Sequence, residues 1–285
     1  MSSLSTPEYR AVSPGGPDPL LVLLDPAARR ADGESVRIAR DVLCGGADAK
    51  VALPESMTEL DRVLAHRGRR RPVVIGADLA VRRVLQALHR QRELGADPVG
   101  VVPVGRPGAV GALRALGVPA EPVVAARAVI NGSSRKLDLL VDDCGAVVLG
   151  GVRIRGAGDG HPGGWRSLWA KLASSEQGKA DHRAADGAPD PRRRLDPRLR
   201  IEADGQLLAD VHQPVRLLQV NAPADGGVME LVLRLSGGVR RQHAASLTVA
   251  GREFGYEADG RPVGPVRSRT WTVHAGAWEL MLPSG

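Results

Sequence analysis

The sequence predicts an α/β protein, with an N-terminal open-sheet α/β domain followed by a second, mostly antiparallel β domain. Three observations predict it. Short apolar runs alternate with segments of helical periodicity through the first half. The second half is a series of strand-like runs separated by Gly, Asp and Pro turns. At 285 residues the chain also exceeds one typical domain. Aromatic residues make up only 2% of it, so the core must be built from Val, Leu, Ile and Ala.

In chain order, residues 1–18 are rich in Ser, Pro and Gly and read as a disordered leader. Residues 19–135 form the α/β domain. Residues 136–285 form the β-rich domain, which contains a Gly/Pro/Arg-rich insertion at about 156–198 and whose final strand is free to return to the first domain. Leu20 to Leu24 is a continuous apolar run of the kind buried on both faces of a parallel sheet. Residues 25–30 read as a polar turn, with a helix over 34–43 and a strand over 49–53. Ser56 with Glu59 makes a capping box for a helix through Leu60, Val63 and Leu64.

Residues 71–76 form the third strand. It ends in Gly76, and Val81, Val84, Leu85 and Leu88 then recur at helical spacing. Asp78 at this junction reads either as the cap of its own helix or as part of a ligand site, since a helix start favours anions. Residues 100–104 form the fourth strand, and the loop from Gly105 to Gly111 leads into a helix through Leu113 and Leu116, closed by Gly117 and Pro119. Ligands collect at the carboxyl ends of such strands, so the loops at 25–30, 76–80 and 105–111 are the candidate site.

In the second half, 137–154 reads as a hairpin turning at Asp142 to Gly145. Trp165, Leu168, Trp169 and Leu172 make one apolar helical face. Strands are expected over 199–203, 206–209, 215–220, 228–235, 246–249, 254–258, 270–274 and 278–282.

The net charge of +7, nearly all from arginine excess, suits an anionic partner or a general arginine bias. Neither the arginines at 67–71 nor those at 192–194 are interleaved with stacking aromatics, so solvated loops are expected and nucleic acid is not. Cys44 and Cys144 make neither a disulfide framework nor a metal spacing, and the seven histidines show no close pair, so no metal site is expected. The start of the chain lacks a secretory pattern and no run approaches a membrane span, which points to a cytoplasmic protein with peripheral membrane contact left open.

Four loops carry a family resemblance. Gly76-Ala77-Asp78-Leu79-Ala80 stands where the family has Gly-Gly-Asp-Gly-Thr, and Asp25-Pro26-Ala27-Ala28-Arg29 where it has Asn-Pro-x-Ser-Gly. The segment from Pro103 to Gly111 stands for Pro-x-Gly-Thr-x-Asn-Asp-Phe-Ala, and Asp259-Gly260-Arg261 for Asp-Gly-Glu. In this order they resemble the diacylglycerol kinase catalytic family of bacterial lipid kinases, itself akin to the NAD kinases, from about Leu20 to the end of the chain. The resemblance implies transfer of the γ-phosphoryl of ATP, with Mg²⁺, to a lipid hydroxyl. It places nucleotide contacts at Gly76, Ala77, Asp78, Gly105, Arg106 and Gly108, gives Asp78 the catalytic role that remains, and puts Arg261 in the position of the general base.

The departures touch chemistry. Leu79 and Ala80 replace a Gly and a phosphate-binding hydroxyl, Arg106 and Gly108 replace Thr and Asn, and an arginine at 261 cannot accept a proton at neutral pH. Activity is therefore expected to be weak or lost. The alternative is a catalytically inactive pseudokinase that binds a nucleotide, a lipid headgroup or another anion, with Arg29, Arg106 and Arg261 converging from three loops.

Overall fold

The computed structural model describes residues 18–156, 196–223 and 225–284; the leader and the apolar face from Trp165 to Leu172 lie outside the described residues. Four parallel strands open the fold: β1 (Leu20–Leu24), β2 (Ala49–Ala52), β3 (Arg71–Gly76) and β4 (Gly100–Pro103), in the order β2-β1-β3-β4. Successive side chains of a strand point to opposite faces, which explains the unbroken apolar runs. Leu20, Val22, Val73, Ile75 and Val102 pack on α2 (Gly33–Gly46) and α6 (Pro122–Asn131). Leu21, Leu23, Val74 and Val101 pack on α3 (Met57–Ala65) and α4 (Asp78–Gln91).

The polar turn expected at 25–30 is in fact a helix, α1 (Pro26–Ala31). Its start follows the usual chemistry, with Pro26 in the first turn and the Asp25 carboxylate accepting the Ala27 N–H at 3.1 Å. The capping box forms with a variation: Ser56 Oγ accepts from Glu59 N–H, while Glu59 reaches past Ser56 to the N–H of Glu55. The arginine run at 67–71 is not a solvated loop throughout. Arg67 and Arg71 are buried, the first paired with Glu93 and Asp97, the second donating to the Val129 carbonyl at 2.7 Å.

The other strands are β5 (Ser133–Asp142), β6 (Val147–Val148), β7 (Gly151–Arg155), β8 (Leu199–Ala203), β9 (Gln206–Ala209), β10 (Val215–Asn221), β11 (Met229–Leu235), β12 (Gly238–Ala244), β13 (Ser246–Ala258) and β14 (Arg261–Leu282). They form one antiparallel sheet in the order β12-β11-β10-β7-β13-β14-β5-β6, with β8 and β9 attached through β13. The hairpin expected over 137–154 holds only between β5 and β6; β7 departs to pair with β10 and β13. Expected strand breaks at 250–253 and 275–277 are bulges inside the long β13 and β14. The second is pinned by Asp138, whose carboxylate accepts Gly276 N–H at 2.8 Å and Gly227 N–H at 2.6 Å.

That bulge lets one strand serve two cores. Before it, Trp271 lies in the core of the antiparallel sheet with Tyr256 and Phe254; after it, Trp278 and Leu280 enter the core of α4. Leu280 also bridges Val99, and Met281 N–H donates to the Val99 carbonyl at 3.0 Å. Trp278 is 1% exposed and donates its indole N–H to the Asp138 carbonyl. Trp278→Ala is expected to cost about 3–5 kcal/mol in urea unfolding, whereas Val239→Thr on the exposed edge of β12 should change stability by less than about 0.5 kcal/mol.

Candidate functional site

The site forms where α4 faces both sheets. Its apolar half, Val81, Val84, Leu85 and Leu88, is buried in the core. Asp78, Arg82, Gln86 and His89 follow at steps of four, four and three residues, which aligns them along one stripe. Each meets the second half of the chain or the loop leading to it.

Asp78 does not cap its own helix. Residue 77 is the N-cap and gives no side-chain bond, whereas the Asp78 carboxylate accepts Ala112 N–H at 2.9 Å and Leu113 N–H at 3.1 Å. It thereby caps α5 (Gly111–Ala115), a short helix with no side-chain cap of its own. Burial pushes the Asp78 carboxyl above its ordinary 3.8; the backbone N–H groups pull the other way, and the charge of Asp259 adds to the rise.

Asp259 and Gly260 form the turn between β13 and β14, both at positive φ (50° and 71°), as a two-residue turn of primed type requires. The Asp259 carboxylate accepts N–H groups from Leu149 (3.1 Å), Gly150 (2.7 Å) and Gly151 (3.2 Å), which fixes the bend between β6 and β7. Arg82 Nε lies 3.7 Å from Asp259 Oδ2, outside hydrogen-bond range, and is buried without an acceptor. Burial draws the Arg82 guanidinium below its ordinary range, opposed by Asp259 and furthered by Arg261 and Arg83. One step along the stripe, Gln86 donates to the Gly145 carbonyl and accepts Val147 N–H, both at 2.8 Å.

Histidines with no close spacing in the sequence meet here: His89 and His274 stack edge to face at 5.9 Å.

At the carboxyl ends of β1 and β3 lies a slot of about 100 Å³. Its walls include Leu23, Val74, Met57 and Val84, and Asp25, Glu55, Ser56 and Arg83 supply polar groups. Gly76 is required beside it, because a Cβ there would stand 2.8 Å from the Cβ atoms of Asp25 and Ala80. Ala77 and Gly105 are neighbours, with 3.3 Å between the Ala77 Cβ and the position of a Cβ on residue 105. Arg106 and Gly108 are exposed, on the short 3-10 turn Pro107–Ala109 and the residue before it. Arg29 is exposed on α1, and Arg261 opens β14 directly after the Asp259 turn. None of Arg29, Arg106 and Arg261 forms an ion pair among the described residues; of the three, only Arg261 is electrostatically coupled to the α4 stripe. Arg82 was not singled out in the sequence, although its place four residues after Asp78 and four before Gln86 is a legible signal.

A cluster of Asp142, Asp143 and Cys144 lies elsewhere, around the guanidinium of Arg269, whose Nη1 is 2.5 Å from Asp143 Oδ1 and 2.6 Å from Cys144 Sγ. A cation already stands there.

No family model and no curated protein matches the sequence. Three solved structures from Bacillus anthracis str. Sterne share the fold; one is named a diacylglycerol kinase and two carry that name provisionally. The first gives a TM-score of 0.68 at 14% identity, over 95% of this chain and 98% of that one. The second gives 0.68 at 15% and the third 0.67 at 14%, each over 93% of this chain and 97% of the other.

Replacing Asp78 by Ala leaves the amides of Ala112 and Leu113 without acceptors, and a loss of about 1–3 kcal/mol is expected by urea titration. A second prediction concerns pH. Burial and the neighbouring His274 lower the pKa of His89 below its ordinary 6.5, so the folded chain binds fewer protons than the unfolded one. The associated stability is complete above pH 6.5 and is lost as pH falls through the folded value. Thermal midpoints should fall on acidification from neutral pH, and His89→Gln should flatten that slope.

Proposed function

We infer that the chain is a protein of the diacylglycerol kinase family in which phosphoryl transfer is lost and the cleft is kept as a binding site for a phosphorylated anion. The solved structures that match this chain over nearly the whole length of both support the family side of this reading. One observation carries the loss of chemistry. The residue in the position that the resemblance gives to the general base is Arg261, and the neighbouring carboxylates, Asp78 and Asp259, each accept backbone N–H groups on both oxygens.

A general base needs a lone pair within reach of the acceptor hydroxyl, and phosphoryl transfer needs phosphates positioned by donors on the loops. The loops retain part of the second requirement. The first turn of α4 has no side-chain cap; Ala80 and Val81 donate to the Ala77 carbonyl, which leaves the N–H groups of Asp78 and Leu79 for an anion, with Gly76 and Ala77 before them and Gly105 packed against Ala77. Arg29, Arg106 and Arg261, exposed on three different segments, are the candidate guanidinium groups for such an anion. The anion is a nucleotide phosphate or a lipid headgroup; no helix of the described residues is long and apolar enough to cross a membrane, so lipid would be met at the surface of a bilayer.

A second reading is retained transfer with Asp259 as base, favoured by the electrostatic coupling of Asp259 to Asp78. Labelled ATP with Mg²⁺ and a mixed lipid extract separates the two. No transfer above an Asp78→Ala blank, alongside measurable binding of ADP or phospholipid, is the expected result. Transfer that disappears in the blank would establish the second reading.

A further inference from the structure

Two imidazoles that the proposed function leaves unused meet at the far end of the α4 stripe. His89 is half-buried in the last turn of α4, directly after the buried Leu88 and three residues from Gln86, whose amide holds the helix to the β5–β6 bend. His274 is exposed on β14 between two fixed points: Val273 N–H donates to the Ala245 carbonyl at 2.8 Å, and Gly276 N–H to the Asp138 carboxylate at 2.8 Å. Both rings are thus carried on backbone that other contacts hold. Neither makes a hydrogen bond or an ion pair among the described residues, so their four ring nitrogens are uncommitted.

The spacing suits one shared ion. With each Zn–N bond about 2.0–2.1 Å and each ring adding about 1.1 Å, two imidazoles on one ion hold their centroids about 5 Å apart at a tetrahedral angle and about 6 Å apart at a wider one. The observed separation is 5.9 Å, with the ring planes at 74°. A ring that makes no hydrogen bond can turn about its Cβ–Cγ bond to aim a nitrogen without losing one. The surroundings favour a cation, because the carboxyl end of α4 brings the negative end of the helix dipole. Of the arginines nearby in sequence, Arg90 turns to α3, where it pairs with Asp61 at 2.6 Å, and Arg92 is exposed past the helix end. No cysteine, carboxylate or further histidine joins the pair in a group of three among the described residues, so water fills the remaining positions. Two neutral imidazoles select a late transition ion, whereas Mg²⁺ prefers oxygen ligands.

We propose that His89 and His274 form a binding site for a divalent transition-metal ion of the Zn²⁺, Ni²⁺ or Cu²⁺ class, which ties α4 to the strand shared by both cores. The inference stands apart from the anion-binding reading of the cleft.

The test is calorimetric titration of the full chain, stripped of metal with EDTA and dialysed to about pH 7.5, where imidazoles are neutral, with ZnCl₂, NiCl₂ and MgCl₂ in turn, alongside thermal unfolding in each salt. One Zn²⁺ or Ni²⁺ per chain, bound at micromolar concentration and raising the thermal midpoint by several degrees, is expected, with no response to Mg²⁺. His274→Gln, an exposed change that spares the fold, and His89→Gln should each weaken binding about tenfold or more and abolish the rise in midpoint. Binding seen only at millimolar metal, or unchanged in either variant, would overturn the inference. Binding that is lost in Cys144→Ser instead would also overturn it and would move the ion to the Asp142 cluster.

Discussion

The carboxylate of Asp78 joins the two halves of the candidate site through hydrogen bonds to the amides of Ala112 and Leu113. The constraint behind it is general: the first N–H groups of a helix have no intrahelical acceptor and must find one elsewhere. A helix as short as α5 cannot supply its own tertiary support, since nucleation is unfavourable and few residues share the cost. The acid at the start of α4 therefore fixes where α5 begins, and with it the course of the chain from Gly105 onward.

The same economy runs along α4. Its buried face is apolar and common to both halves of the fold, which gives adhesion without direction. Direction comes from the polar stripe, in which Asp78, Arg82, Gln86 and His89 meet α5, the Asp259 turn, the β5–β6 bend and β14 in succession. The Gln86 amide both donates and accepts, so a shift of the helix along its axis would break two bonds at once. Polar contacts of this sort contribute about 1 kcal/mol each against the larger apolar burial, yet they decide the register in which the burial occurs.

Local patterns in the sequence carried most of the fold. The strands β1, β3 and β4 were legible because their apolar runs ended at Gly, Pro or Asp, and α4 because its period was unmistakable. The failures have physical causes. The polar turn at 25–30 is a helix whose Asp-Pro start resembles a turn start until the rest of the chain packs over Ala28. β12 went unseen because an edge strand exposed on one side and rich in Arg and Gln has little apolar alternation. Bulges in β13 and β14 were taken for strand ends because a bulge, like a turn, gathers small residues. Of the site, the loops were legible and the partners were not. Nothing local to Asp78 shows that its acceptor role faces residue 112, or that His89 meets a histidine far along the chain.

Arginine in the place of a carboxylate has consequences beyond the loss of a base. A carboxylate at 261 would add a negative charge two residues from Asp259, which already raises the pKa of Asp78. With arginine there, Asp259 has the Arg82 guanidinium 3.7 Å away and another guanidinium two residues along its own turn. The carboxylates are satisfied by backbone N–H groups that do not move away with a ligand.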